Sequence, residues 1–188
     1  IAQQLYPEAD ITVAGFETTN RRDFYDLAIG NVPFGQYQVN DKAYNKLGFS
    51  IHNYFFAKAV DQVRPGGLVA FVTSRYTLDA KDPTVRRYLA QRAELLGAIR
   101  LPNNAFLANA GTDVVSDILF FQRRERPIVT DEPWVHLGIS QNGIPINSYF
   151  VEHPEMMLGE LTRESTQYGR EEATVRPLEG VSLADQLR

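Results

Sequence analysis

Cysteine is absent from the 188-residue chain, which excludes a disulfide framework, a thiolate zinc site and a cysteine nucleophile. That absence agrees with a reducing cytoplasm, the compartment we expect. Histidine is nearly as scarce: His52, His136 and His153 are widely spaced and form no HxxxH or HxH pair, so no metal centre is expected. The longest apolar stretches, such as residues 67–73, fall far short of the roughly 20 residues that cross a bilayer, and a soluble protein without membrane contact is expected. Basic charge is also short. A net charge of -4 lacks the positive footprint of a stand-alone nucleic-acid-binding module, so any DNA contact has to be local or shared. The small basic groupings, Arg86-Arg87 and Arg123, Arg124 and Arg126, read first as solvated faces.

What the chain does contain, 44% hydrophobic and 22% charged residues, is enough for an ordinary globular core. Residues 1–6 read as the tail of a helix stopped by Pro7, and residues 11–16 as a strand. A second strand is expected over residues 26–30. From Ser50 to Val63 the residues Ile51, Tyr54, Phe55, Ala59 and Val63 recur at helical spacing, with Ser50 at the N-cap and Pro65-Gly66-Gly67 as the stop. A buried strand over 68–73, a helix over 84–96 opened by Asp82-Pro83, and strands over 97–101 and 114–122 follow. Such alternation predicts an α/β domain with a mostly parallel sheet covered by helices on both faces. We place its end at residue 126; residues 127–188, richer in proline, glycine and charge, read as a C-terminal extension or linker.

The informative segment is Asp26-Leu27-Ala28-Ile29-Gly30-Asn31-Val32-Pro33-Phe34-Gly35, a strand that delivers an amide, a proline and an aromatic ring to its carboxyl end, where open α/β sheets bind ligands. An amino group about to attack a methyl sulfonium needs acceptors for its two hydrogens. The Asn31 oxygen and the Val32 carbonyl offer both, while Phe34 offers a face for a base rotated out of the duplex. An ordinary β-turn, with Asn and Pro setting the backbone and Phe filling the core, accounts for the same residues when they are taken alone. A phosphate loop does not fit, since no Lys-Ser or Lys-Thr follows Gly35, and Ser74 and Ser116 lack the glycine-flanked elbow of a hydrolase nucleophile.

Taken together, Asn31-Val32-Pro33-Phe34, Arg64-Pro65-Gly66-Gly67, the run Leu68-Val69-Ala70-Phe71-Val72-Thr73-Ser74, Ile99-Arg100-Leu101-Pro102, Phe106 and the stretch from Thr112 to Phe121 resemble adenine-N6 DNA methyltransferases. The kinds resembled are type I modification subunits and the large methyltransferase-helicase fusions of phages and mobile elements. The resemblance covers residues 1–124 and implies an incomplete Rossmann-like S-adenosylmethionine-dependent methyltransferase fold that lacks the first strands. It implies S-adenosylmethionine as cofactor, DNA as partner, and a helicase module or other subunits of a larger protein beside it. Asn31, Val32, Pro33 and Phe34 correspond to the target-base motif, and Ala14-Gly15-Phe16 resembles the motif for the cofactor adenine, with Phe16 stacking on it and Glu17 accepting from its amino group.

The chain departs from the family at three places. Val32 stands where the family usually has proline, and Gly15 where it usually has an acid. No glycine-rich loop after a strand holds the methionine part of the cofactor. The chain therefore reads as beginning after those elements, a fragment whose unpaired sheet edges invite a homo-oligomer. Two other readings use the same residues: a protein-glutamine N5 methyltransferase, and a non-catalytic methyltransferase-like module of a helicase or restriction-modification assembly. The segment NSYFVEHPEMMLG, residues 147–159, is similar to stretches that follow the catalytic region in the large fusions.

Overall fold

The computed structural model describes residues 1–111, 113–165 and 171–188, with only the backbone at residue 109; Thr112, where the last resembled stretch begins, lies outside them. After a short helix α1 (Ala2–Leu5) and an extended segment come strand β1 (Tyr25–Asn31), helix α2 (Ile51–Gln62) and strand β2 (Val63–Ser74). Helices α3 (Tyr76–Asp79) and α4 (Thr84–Arg92), strand β3 (Ala93–Arg100), helix α5 (Leu107–Ala110) and strand β4 (Ser116–Arg123) complete the central unit. Two antiparallel pairs follow. One is β5 (Leu137–Ile139) with β6 (Pro145–Asn147), and the other β7 (Glu160–Ser165) with β8 (Glu171–Arg176); helix α6 (Ser148–Glu152) lies between the pairs and α7 (Leu183–Gln186) after them.

The central sheet has the order β1-β2-β4-β3. Only β1 and β2 pair in parallel; β4 runs antiparallel to both β2 and β3. The expected mostly parallel sheet is thus corrected to a mixed one, in which β1, β2 and β3 share a direction and β4 is inserted against it. Hydrophobic patterning could not show this, because a buried strand carries the same apolar run whichever way it points. A second correction concerns cover. Alternate residues Val69, Phe71, Leu119 and Phe121 are buried on the face that α2 and α4 pack against, and those helices also touch each other. Among the described residues the opposite face stays open: Leu27, Ile29, Leu68 and Phe120, neighbours across β1, β2 and β4, are 48%, 76%, 40% and 37% exposed.

Residues 11–15 form no strand, and Phe16–Thr18 is a 3-10 turn. That segment runs along α2 instead: Lys58 Nζ donates to the Glu17 carbonyl (3.1 Å) and Gln62 Nε2 to Thr19 Oγ1 (2.7 Å). Helix α2 ends one residue before Val63, so Pro65-Gly66-Gly67 lies within β2 rather than capping the helix. A Cβ at Gly67 would meet the Arg64 carbonyl at 2.8 Å and the Tyr25 carbonyl at 3.1 Å, which is why glycine is needed where β1 and β2 first meet. Helix α4 stops at Arg92, earlier than its pattern predicts, because Ala93 already pairs with Arg123 of β4. The Asp82 carboxylate accepts from Thr84 N (2.9 Å) and fixes the start of that helix.

The core does not end at residue 126. Trp134, Val135, Ile144, Ile146 and Phe150 join Phe56, Val60, Leu89, Leu119 and Phe121 in one buried cluster, each fully buried large side chain contributing about 1.5–3 kcal/mol. Beneath it lies a buried charge network. Arg100, 1% exposed, makes a bidentate bond to Asp117 (2.8 Å for each contact) and reaches Asp79 at 2.7 Å, with its guanidinium 4.3 Å from the Phe150 ring centroid. Burial works against the Arg100 charge, but Asp117 and Asp79 outweigh it and hold the guanidinium ionised. This network gives residues 147–159 a physical role. Asn147 caps α6, donates Nδ2 to the carbonyls of Leu78 and Trp134, and presents its N–H to Asp79, while Leu158 N bonds the Arg100 carbonyl.

Candidate functional site

Because β1, β2 and β3 run the same way, their carboxyl ends meet at one edge: Asn31 ends β1, Ser74 ends β2 and Arg100 ends β3. Asn31 pairs with Val72, and the ladder continues for one more bond, from Val32 N to the Val72 carbonyl (3.1 Å). Val32 is buried at 4%, whereas Asn31 is exposed and its carboxamide makes no hydrogen bond among the described residues. Phe34 is 37% exposed. Asn31, Val32 and Phe34 wall a hollow of about 220 Å³ with Phe106, Ala110 and Val114. Asn31, Val32 and Phe34 are therefore brought to one place, and Phe106, quoted in the resemblance, faces them. Pro33 is exposed.

The loop is held from below by α2. His52, 2% exposed, places Nδ1 3.1 Å from the Gly35 carbonyl; a carbonyl only accepts, so Nδ1 carries the proton. Burial lowers the His52 pKa, opposed by this bond, and the ring is held neutral. The Ser50 hydroxyl occupies the N-cap position yet turns toward His52 and accepts from Asn53 Nδ2 (3.1 Å). No functional role for His52 is legible in the sequence; the only signal for it is its place at the first turn of the helix that follows the motif.

One turn further along the same face, Phe55 stacks on Phe16 with ring centroids 4.5 Å apart and planes at 24°. Phe16 is half-buried, and Lys58 Nζ stands 5.4 Å from its ring centroid. Lys58 also binds Asp41 (2.7 Å), whose carboxyl is pushed up by burial but held below its ordinary range by hydrogen bonds from Lys58, Tyr54 and Ala43. Glu17 is exposed, and its carboxylate folds back so closely that a Cβ at Gly15 would collide with it. The structure thus sets Phe16 and Glu17 beside the middle of α2 and the Asn31 loop beside its start.

A larger cleft of about 470 Å³ adjoins the hollow, with Phe34 and Val114 common to both. Its other walls include Ser74 at the end of β2, Arg75-Tyr76 after it, Asn103 after β3, and residues of β7 and β8. The part of β7 and β8 was not legible in the sequence. The basic groupings divide: Arg87 and Arg126 are exposed, as a solvated face requires, whereas Arg86 Nε binds the Val135 carbonyl (2.7 Å), Arg123 binds backbone carbonyls of Asp61 and Val63 and pairs with Asp23, and Arg124 binds the Ala90 carbonyl (3.0 Å).

No family model matches the chain. Among curated proteins it is 31% identical over 143 residues to the defense against restriction protein B of Escherichia phage P1; the match takes in 72% of this chain and 6% of that protein's length. Among solved structures it is similar to a Listeria monocytogenes protein assigned to the class I S-adenosylmethionine-dependent methyltransferases, at 20% identity and a TM-score of 0.48 over 62% of this chain and 36% of that one. It is also similar to the M protein of the type I restriction enzyme EcoKI, at 24% identity and a TM-score of 0.40 over 53% of this chain and 21% of that one. The proteins this chain resembles are thus type I modification subunits, S-adenosylmethionine-dependent methyltransferases and a phage protein of defence against restriction.

Proposed function

We propose that the chain carries the target-base end of an S-adenosylmethionine-dependent methyl transfer to adenine N6 in DNA, as part of a larger protein. The observation that supports this most directly is the unengaged, exposed Asn31 carboxamide at the end of β1, beside a hollow walled by Val32 and Phe34. An adenine amino group there donates one hydrogen to Asn31 Oδ1 and the other to the Val32 carbonyl, and its lone pair is left facing outward. Alignment and fixed dipoles do this work without a strong base. Phe34, with ring surface exposed, stacks the rotated base and offsets part of the few kcal/mol that unstacking costs. Pro33 stiffens the turn between them.

S-adenosylmethionine, when bound, supplies the electrophilic methyl group. Phe16 and Glu17 fit its adenine end only: Phe55 already covers one side of Phe16, leaving the remaining ring surface and the exposed Glu17 carboxylate. The sequence has no glycine-rich strand-loop-helix turn for the methionine end. DNA as substrate is supported by the phage relative, whose name ties it to restriction. A helicase module or other subunits as partners, a C-terminal extension from residue 127 packed onto the catalytic part's core, and homo-oligomers formed through the free β1 edge belong to the same reading; a clean monomer across a wide concentration range in size-exclusion chromatography counts against the last.

The glutamine-N5 alternative uses the same amide acceptors on a different amino group, and the open sheet face with Gly15 favours the non-catalytic module. Transfer of labelled methyl from S-adenosylmethionine to DNA discriminates among the three. Asn31→Ala is expected to reduce adenine methylation by about 100-fold or more. Undiminished transfer in that variant, or label found on protein glutamine, overturns the proposal.

A further inference from the structure

The cleft of about 470 Å³ beyond Phe34 has the parts of a nucleobase site. Two aromatic rings with exposed surface flank it, Phe34 at 37% and Tyr76 at 40%. Tyr76 is held in place by Arg75, whose guanidinium lies 4.3 Å from the ring centroid and donates to the Tyr76 hydroxyl at 2.9 Å. Opposite stands a polar wall. Asn103 N donates to the Val175 carbonyl (2.8 Å) and Asn103 Nδ2 to Thr174 Oγ1 (3.3 Å), so β8 fixes the carboxamide with one N–H and its oxygen still to satisfy. Glu172, Ala173 and Thr174 of β8 line the cleft together.

The charge of the lining selects the part of a nucleotide that fits. Glu164 is paired with Arg176 (2.6 Å), Asp113 and Glu172 make no ion pair among the described residues, and Arg75 is turned to Tyr76 and Asp79. Such a cleft repels phosphate and favours base amino groups. Phe34 belongs to both this cleft and the hollow at Asn31, so whatever stacks here is a neighbour of the base in the hollow.

We infer that the cleft is a second base subsite that takes the nucleobase next to the methylated one, with the β7–β8 hairpin as its wall and Asn103 as its reader. A fixed carboxamide pairs bidentately with adenine N6 and N7, so adenine is the preferred neighbour. The inference rests on the methyl-transfer reading and gives strands β7 and β8 a share in substrate choice.

The test is amide and side-chain NMR of the full chain, titrated with two short single-stranded DNA oligonucleotides. One carries a central adenine between thymines; the other carries a second adenine beside it. The expected result is movement of the Asn31 and Phe34 signals together with those of the Asn103 carboxamide and Thr174, and tighter binding of the second oligonucleotide by about tenfold. Asn103→Ala and, as a milder change, Thr174→Val are expected to abolish that preference while their spectra remain those of a folded chain. Movement at Asn31 and Phe34 with none at Asn103 and Thr174, or a preference that survives Asn103→Ala, overturns the subsite and leaves methyl transfer standing. Absence of movement at Asn31 and Phe34 overturns the methyl-transfer reading, and the subsite with it.

Discussion

The backbone N–H of Val32 donates to the carbonyl of Val72 at 3.1 Å, one bond beyond the point where β1 ends at Asn31. Proline, which the resembled family carries at this position, has no N–H to give. Valine therefore ties the motif to β2 through a bond that the family's residue cannot make, and the rigidity lost with the ring is partly returned by the ladder. Val32→Pro removes the bond and leaves the Val72 carbonyl without it. We expect a loss of about 1 kcal/mol, net of the chain entropy that proline saves, read as a lower urea midpoint with unchanged slope.

His52 provides a pH prediction. Burial disfavours the imidazolium and places the folded pKa below the ordinary value of 6.5, the bond to Gly35 opposing only in part. Between the folded pKa and 6.5 the unfolded chain binds the proton and the folded chain does not, so stability is complete above 6.5 and falls as pH drops through that window. Thermal melts between about pH 7.5 and pH 5 should show this fall in the wild type. His52→Asn keeps a donor for Gly35 without a titrating ring and should show a shallower fall; an equal fall in both would assign the effect to other groups.

Removing Asp117 tests the charge network. Asp117→Ala leaves the Arg100 guanidinium, 1% exposed, with Asp79 alone, and is expected to cost about 3–5 kcal/mol. Because Asp79 also receives the Asn147 N–H, the loss should reach residues 147–158, visible as faster hydrogen exchange there than in α2. A loss below about 1 kcal/mol would mean the pair contributes no more than an exposed one.

Phe16 separates cofactor binding from folding. Its ring is half-buried and stacked on Phe55, so Phe16→Ala should cost about 2 kcal/mol of stability. If Phe16 packs on the cofactor adenine, calorimetric titration with S-adenosylmethionine should lose its signal in Phe16→Ala and keep it in Asn31→Ala. Equal titration curves for the two variants would move the cofactor elsewhere.

The sequence by itself determined the local elements and the motif. The apolar spacing of Ile51, Tyr54, Phe55 and Ala59 marks α2, the runs 68–73 and 114–122 mark β2 and β4, and Asn31-Val32-Pro33-Phe34 marks the end of β1, because each depends on contacts within a few residues. Residues 11–16 mislead for the complementary reason: an alternating pattern states which side chains seek cover, and here Phe16 finds it on Phe55 of α2 rather than in a sheet. Only the tertiary structure decided the direction of β4, which face of the sheet is covered, the burial of Arg100 between Asp117 and Asp79, and the meeting of Phe34 with Asn103 and Thr174 across one cleft. Asn103 and Thr174 are 71 residues apart, and no local pattern encodes their contact. It exists because Trp134, Ile146 and Phe150 bury themselves in the same core as the sheet and bring the hairpin with them.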